Sequence, residues 1–283
     1  MSSPGKQSPR SRSPEDARVW VHAEDDELHC QPFLGGTLCA FSRRSPTKDT
    51  PNEDALAVIP LNDKCGALAV ADGVGGTRGG DQASATAIYE LCASMEQVSR
   101  DASDLRKPIL DAIENANREV SLLAIGAATT MAVAELRDNI LRPYHVGDSE
   151  ILVIGGRGKI KLQTVSHSPM GYALESGFIS EGDALRHEDR HLVFNVIGIP
   201  EMRIEIGAPI ELAPRDTLLV ASDGLVDNMT TEEIAFVLSG LNLTDAVEDL
   251  LRTCRGRMEA PLPGQPHKPD DLSFLVWRRD EEG

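Results

Sequence analysis

The chain has 283 residues, 41% hydrophobic and 26% charged, the proportions of an ordinary soluble globular protein. Its 45 acidic side chains outnumber 28 basic ones and leave a formal net charge of −17. That balance disfavours nonspecific binding to nucleic acid or anionic membrane, which needs clustered Lys and Arg.

Residues 1–15 are Ser- and Pro-rich with three bases and almost no apolar side chains. Such a segment does not repay its ordering entropy, and a disordered tail is expected. From residue 16 the composition turns globular, and short strand-like runs follow: VWVHA, GGTLCAFS, DALAVIPL and CGALAVA. Two amphipathic helices come next. From Asp81 to Val98, Ile88, Leu91, Cys92 and Met95 recur at helical spacing, as do Ile109, Ile113, Ala116 and Val120 from Leu105 to Leu123. Each has one apolar face, so both are expected to lie on a sheet.

Strands resume with TTMAVAEL, NILRPYHVG, EILVIGG and GKIKLQTV, separated by short turns, and predict an antiparallel meander. Residues 166–191 break this rhythm with a polar stretch containing His and Gly, expected to be a functional surface loop with its histidines exposed. TLLVAS is a further strand. Thr230 with Glu233 three residues on predicts a capping box opening a helix, and another helix runs from about Thr244 to Met258. APLPGQPHKP is a loop, and LSFLVW closes a sheet. Neither an internal repeat nor a dividing linker is visible, so residues 16–283 read as one domain of antiparallel sheets with helical pairs outside. The five cysteines (Cys30, Cys39, Cys65, Cys92, Cys254) are scattered without CxxC spacing. They predict small core residues of a reducing compartment, neither a disulfide frame nor a zinc site. With no apolar run long enough to span a bilayer and no apolar leader, a cytoplasmic location is expected.

Acidic residues punctuate the strands. Glu53 and Asp54 open one, Asp72-Gly73 ends the next, Asp148 follows NILRPYHVG, Asp223-Gly224 follows TLLVAS, and Asp270-Asp271 precedes LSFLVW. Taken singly, each reads as a turn residue, a cap or a solvated acid. Together they carry a different message, because a sheet gathers strand ends onto a shared edge and clustered carboxylates repel unless a cation neutralises them. Oxygen-only ligands suit Mg²⁺ or Mn²⁺ over Zn²⁺, and the adjacent glycines leave room for close backbone approach. Two such cations would activate water and brace a phosphoryl group for in-line displacement.

The ordered series NEDALAV, VADGVGG, ATTMAV, HVGDSEI, VASDGLVDNMT and PDDLSFLV resembles the metal-dependent type 2C (PPM) protein serine/threonine phosphatases, in particular their bacterial branch. The likeness runs from about Gly36 to Trp277. It implies an α+β fold, with two antiparallel β-sheets in a sandwich flanked by helix pairs in four layers. It also implies hydrolysis of phosphoserine and phosphothreonine in a phosphoprotein by metal-activated water. Glu53, Asp72, Gly73 through its carbonyl, Asp223 and Asp270 match the ligands of two Mg²⁺ or Mn²⁺ ions, with Asp72, Asp223 and Asp270 central to catalysis. Asp148 matches the acid of a third, weaker ion, Asp54 a supporting acid beside the ligand Glu, and residues 166–191 a flap.

Three departures stand out. Asp49 occupies the position where the family carries a phosphate-gripping Arg, leaving Lys48 as the neighbouring candidate for substrate phosphate, a point charge without the bidentate fork. Val74 stands where eukaryotic relatives carry His. Asp271 replaces the usual Asn. The leading expectation is a cytoplasmic, monomeric protein phosphatase. The alternatives are a catalytically weak phosphatase-like regulatory or binding protein, and a phosphatase of small phosphate esters.

Overall fold

A computed structural model describes residues 17–74, 79–100, 102 and 104–280. The expected disordered tail at 1–15 lies outside the described residues. Strands β1 (Arg18–Val21), β2 (His29–Phe33), β3 (Gly36–Arg43), β4 (Asp54–Pro60) and β5 (Cys65–Asp72) precede helices α1 (Gly80–Glu96) and α2 (Arg106–Leu122). Four strands follow, β6 (Met131–Arg137), β7 (Ile140–Val146), β8 (Glu150–Ile154) and β9 (Ile160–Gln163). Then come short helices α3 (Pro169–Glu175) and α4 (Glu181–Ala184), and strands β10 (Glu205–Ile206), β11 (Ile210–Glu211) and β12 (Thr217–Ala221). Helices α5 (Asp223–Val226), α6 (Thr231–Leu238) and α7 (Leu243–Glu259) lead to β13 (Leu272–Arg279).

The strands form two sheets, in the orders β1-β4-β5-β6-β7-β10, with β11 also on β7, and β2-β3-β13-β12-β8-β9. All these pairings are antiparallel. The central strands are apolar at consecutive positions because both faces are covered. On β4 and β5, Leu56, Val58, Leu68 and Val70 face Leu218, Val220, Leu275 and Trp277 of the other sheet. The alternate residues Ala57, Ile59, Ala67 and Ala69 pack under Ile88, Leu91, Ile109 and Ile113 of α1 and α2. On the far side, Leu219, Phe274 and Val276 pack against Ile234, Leu238, Val247 and Leu250 of α6 and α7. This is the expected four-layer sandwich. Each fully buried Leu or Ile in these layers contributes roughly 1.5–3 kcal/mol.

The predicted capping box is present: Thr230 Oγ1 accepts from the Glu233 amide at 3.2 Å, and Glu233 Oε2 accepts from the Thr230 amide at 2.9 Å. Glu233 also pairs with the buried Arg257 of α7 at 2.6 Å, which locks the two helices together.

Four expectations are corrected. The meander divides, since β6 and β7 lie in one sheet and β8 and β9 in the other. Strands covered on both faces carry no periodicity that says which sheet they join, so the turn at residues 147–149 was not legible as a crossover. Strand β2 went unrecognised because HCQPF contains Pro32 and pairs with β3 at the edge of its sheet. Cys30 and Cys39 are joined by a disulfide, being register partners on β2 and β3 with Cα atoms 4.1 Å apart, whereas Cys65, Cys92 and Cys254 are free and buried. Residues 166–191 are more ordered than a plain polar loop. They hold α3, α4 and a 3-10 turn at Glu188–His191, each opened by a side chain (Ser168, Ser180, His187) accepting a backbone N–H.

Candidate metal centre

The fold brings the punctuating acids together. Asp54 at the start of β4 is the register partner of Asp72 at the end of β5. The second sheet meets them from β12 and β13: Ser222, just past β12, donates through Oγ to Asp54 Oδ2 at 2.8 Å. Asp223 opens α5 directly afterwards. A Cβ at Gly224 would lie 1.8 Å from the Asp271 carbonyl oxygen, so the Asp-Gly pair allows α5 to sit against the start of β13. Gly73 plays the same part opposite, where a Cβ would lie 2.4 Å from the Gly80 carbonyl.

Backbone positions are held from behind. Thr130 Oγ1 accepts from the Asp72 amide at 3.1 Å, Thr129 Oγ1 donates to the Asp72 carbonyl at 2.7 Å, and the Thr130 and Ser149 hydroxyls pair at 2.6 Å. The two threonines thus connect Asp72 to the turn bearing Asp148. Asp271, 3% exposed, accepts from the Ser45 amide at 2.7 Å through Oδ1 and from the Glu53 amide at 2.8 Å through Oδ2. It therefore anchors the loop that carries Lys48 and Glu53. These roles for Thr129, Thr130 and Asp271 were missed in the sequence because each acts across strands far apart in the chain.

Two lysines enter the cluster. Lys48 Nζ lies 3.1 Å from Glu53, 3.2 Å from Asp270 and 3.1 Å from Asp271. Lys268 Nζ contacts Asp223, Asp227 at 2.8 Å and Asp270 at 3.2 Å. Lys268 and Asp227 were also missed; their only sequence signal is proximity to the acidic motifs. Around these ammoniums stands a cavity of about 240 Å³ lined by Asp72, Gly73, Asp148, Asp223 and Asp270. His191, the last residue of the flap, and Val193 just beyond it also line the cavity.

The electrostatics follow from crowding. Burial, and then neighbouring acids, hold Asp54 and Asp72 well above the usual carboxylate range. Asp148 is pushed up to about 8 by burial and by Asp223. Burial, moderated by Lys268, lifts Asp223 to about 6, and burial also raises Glu53. Asp270 goes the other way: burial opposes its ionisation, but Lys268 and Lys48 on either side hold it below the usual range.

Among the described residues the histidines stand apart from this cluster or at its rim. His145 and His167 are both buried, with ring centroids 4.5 Å apart, which corrects the expectation that His167 is a surface residue. His167 Nδ1 accepts from the Gly147 amide at 3.0 Å, so the ring proton sits on Nε2 and points to Glu205 at 3.2 Å. That tautomer makes His167 a brace for the turn before Asp148 and leaves it no lone pair for a metal beside Glu205.

The donor chemistry of these residues suits a hard divalent cation. Glu53, Asp72, Asp148, Asp223 and Asp270 offer oxygen alone, which suits Mg²⁺ or Mn²⁺. Asp54, 1% exposed, has an Oδ1 without a hydrogen-bond partner among the described residues. An orphan buried carboxylate oxygen and raised proton affinities mark a site short of positive charge.

The sequence model of the protein phosphatase 2C family matches residues 43–262. The chain is 28% identical over 211 residues to the serine/threonine phosphatase Stp of Listeria innocua, covering 71% of this chain and 83% of that protein. Its fold is similar to the serine/threonine phosphatase Stp1 of Staphylococcus aureus, with a TM-score of 0.75 at 23% identity over 92% of this chain and 100% of that one. It is similar also to the catalytic domain of the serine/threonine protein phosphatase PstP in complex with two manganese ions, with a TM-score of 0.67 at 22% identity over 89% and 99% of the two chains. The chain belongs to the protein phosphatase 2C family.

Proposed function

We propose that the chain removes phosphate from phosphoserine and phosphothreonine side chains of proteins, using divalent cations held by Glu53, Asp72, the Gly73 carbonyl, Asp223 and Asp270. As a member of its family it is a metal-dependent protein serine/threonine phosphatase, a phosphoric monoester hydrolase. The finer assignment is two Mg²⁺ or Mn²⁺ ions, with Asp148 beside a third, weaker position and Asp54 supporting from behind. The all-oxygen donor set supports it, as do the two manganese ions of PstP. A cytoplasmic monomer is part of the same proposal, and no described helix is long and apolar enough to cross a membrane.

One observation carries this reading: acids from four separate strand ends line a single cavity, and burial and neighbouring acids raise the proton affinities of three of them, Asp72, Asp148 and Asp223. Bound cations would supply positive charge to the phosphoryl oxygens and lower the pKa of coordinated water. The chain's own residues prepare the place. Thr129 and Thr130 set the Asp72 backbone, Asp271 sets Glu53, and Ser222 fixes Asp54. His191 and Val193 line the same cavity.

The test is phosphate release from a phosphothreonine peptide with Mn²⁺, Mg²⁺ or EDTA, beside Asp223→Asn. Turnover that needs the metal and is lost in the variant is the expected result. A second reading, a binding protein with little turnover, draws on the engagement of Lys48 by three carboxylates, which leaves its charge spoken for where the family has a phosphate-gripping Arg. Metal binding by calorimetry without turnover would favour it. Preference for a small aryl phosphate over the peptide would favour the small-ester alternative.

A further inference from the structure

Lys268 is built into its position. Its amide donates to Asn228 Oδ1 at 2.8 Å and its carbonyl accepts from Asn228 Nδ2 at 2.7 Å. Asn228 is fully buried, with Nδ2 also 2.9 Å from the Gly224 carbonyl, and its own carbonyl accepts from Arg257 Nη1 at 2.7 Å. The backbone at residue 268 is thereby clamped to the turn that carries Asp223. The side chain, 17% exposed, reaches three carboxylates: Asp223, Asp227 and Asp270.

Asp223 and Asp270 are two of the ligands proposed above, and Asp227 is not. An ammonium and a divalent cation repel at contact distance and draw on the same oxygens. Because the lysine is tethered, its effective concentration at those oxygens does not fall on dilution. Asp227 gives the ammonium a partner that the metal does not need. We propose that Lys268 is a resident cation that competes with the metal for Asp223 and Asp270 and so sets the metal affinity of the centre, with Asp227 receiving the ammonium when the metal is bound. Loading is then an exchange of one cation for another. The inference rests on the metal-centre reading of Asp223 and Asp270.

Competition has a signature that structural damage lacks. Lys268→Met removes the competitor, so Mn²⁺ binds at least about tenfold more tightly in calorimetry, the scale of one close charge pair. The same variant leaves Asp223, Asp227 and Asp270 unneutralised without metal, so its melting temperature in EDTA falls below wild type. Damage would weaken both. Asp227→Asn weakens Mn²⁺ binding in the wild-type background and has little effect in the Lys268→Met background, because it acts through the lysine. Mn²⁺ affinity unchanged within about twofold, or weaker, in a folded Lys268→Met protein overturns the proposal. Asp223→Asn is the control for the underlying reading: if it leaves Mn²⁺ binding intact, the metal-centre assignment fails instead.

Discussion

The Lys48 ammonium stands 3.1 Å from Oδ2 of Asp271, and this contact links two departures of the sequence from its family. Asp271 adds a buried negative charge where the family carries a neutral Asn, and Lys48 supplies a positive charge beside the position of the missing Arg. The lysine balances the acid, and the acid holds Glu53 through its amide. A position that reads in sequence as a candidate phosphate grip is, in the structure, also a counter-ion to the site's own scaffold.

Removing one member of this pair should cost more than removing both charges. Lys48→Met leaves Asp271 with two backbone donors and an uncompensated charge, for an expected loss of about 1–3 kcal/mol. Adding Asp271→Asn should recover part of that loss. Urea denaturation of the two single variants and the double variant in EDTA measures the coupling directly.

The raised carboxylates make stability depend on pH. An acid whose folded pKa lies above its unfolded value binds its proton more tightly in the folded state. That stability is fully present below the unfolded pKa and is lost as pH rises through the folded one. With Asp223 lifted to about 6 and Asp148 to about 8, the EDTA-treated protein should lose stability progressively from about pH 4 to 8. Saturating Mn²⁺ should flatten the upper part of that slope and release protons on binding near pH 7. Melting curves across pH, with and without metal, check the sign; a melting temperature that climbs with pH in EDTA would contradict it.

Gly224→Ala tests the close approach at the second sheet. The added Cβ would meet the Asp271 carbonyl at 1.8 Å, and backbone on both sides cannot yield without moving α5 or β13. An expected destabilisation of about 2–4 kcal/mol, read from the denaturation midpoint, should come with loss of metal binding.

Thr130→Val keeps volume and removes the hydroxyl that accepts from Asp72 and pairs with Ser149. Phosphatase activity should fall about 10–100-fold, as when a residue supporting a metal ligand is lost, while the far-ultraviolet spectrum stays unchanged. Activity within about twofold of wild type would show that backbone contacts alone position Asp72.

Much of this molecule is determined by local patterning. The helical spacing of Ile88, Leu91 and Met95, the capping box at Thr230 and Glu233, and the apolar runs ending in acids follow from side-chain periodicity and turn chemistry, which a linear sequence contains. That Glu53, Asp72, Asp148, Asp223 and Asp270 belong to one site was legible by another route, as what the resemblance of their ordered motifs to a known family implies. What tertiary structure alone decided depends on which distant strands lie side by side. Register on β2 and β3 paired Cys30 with Cys39. The crossing of the chain between sheets at residues 147–149 buried His167 behind Asp148. The clamp of Asn228 on residue 268 aimed an otherwise unremarkable loop lysine at Asp223 and Asp270. Charge contacts between residues 45 or 223 positions apart leave no periodic trace, since a lysine or an acid that ends in such a cluster is locally the same as one that ends in solvent.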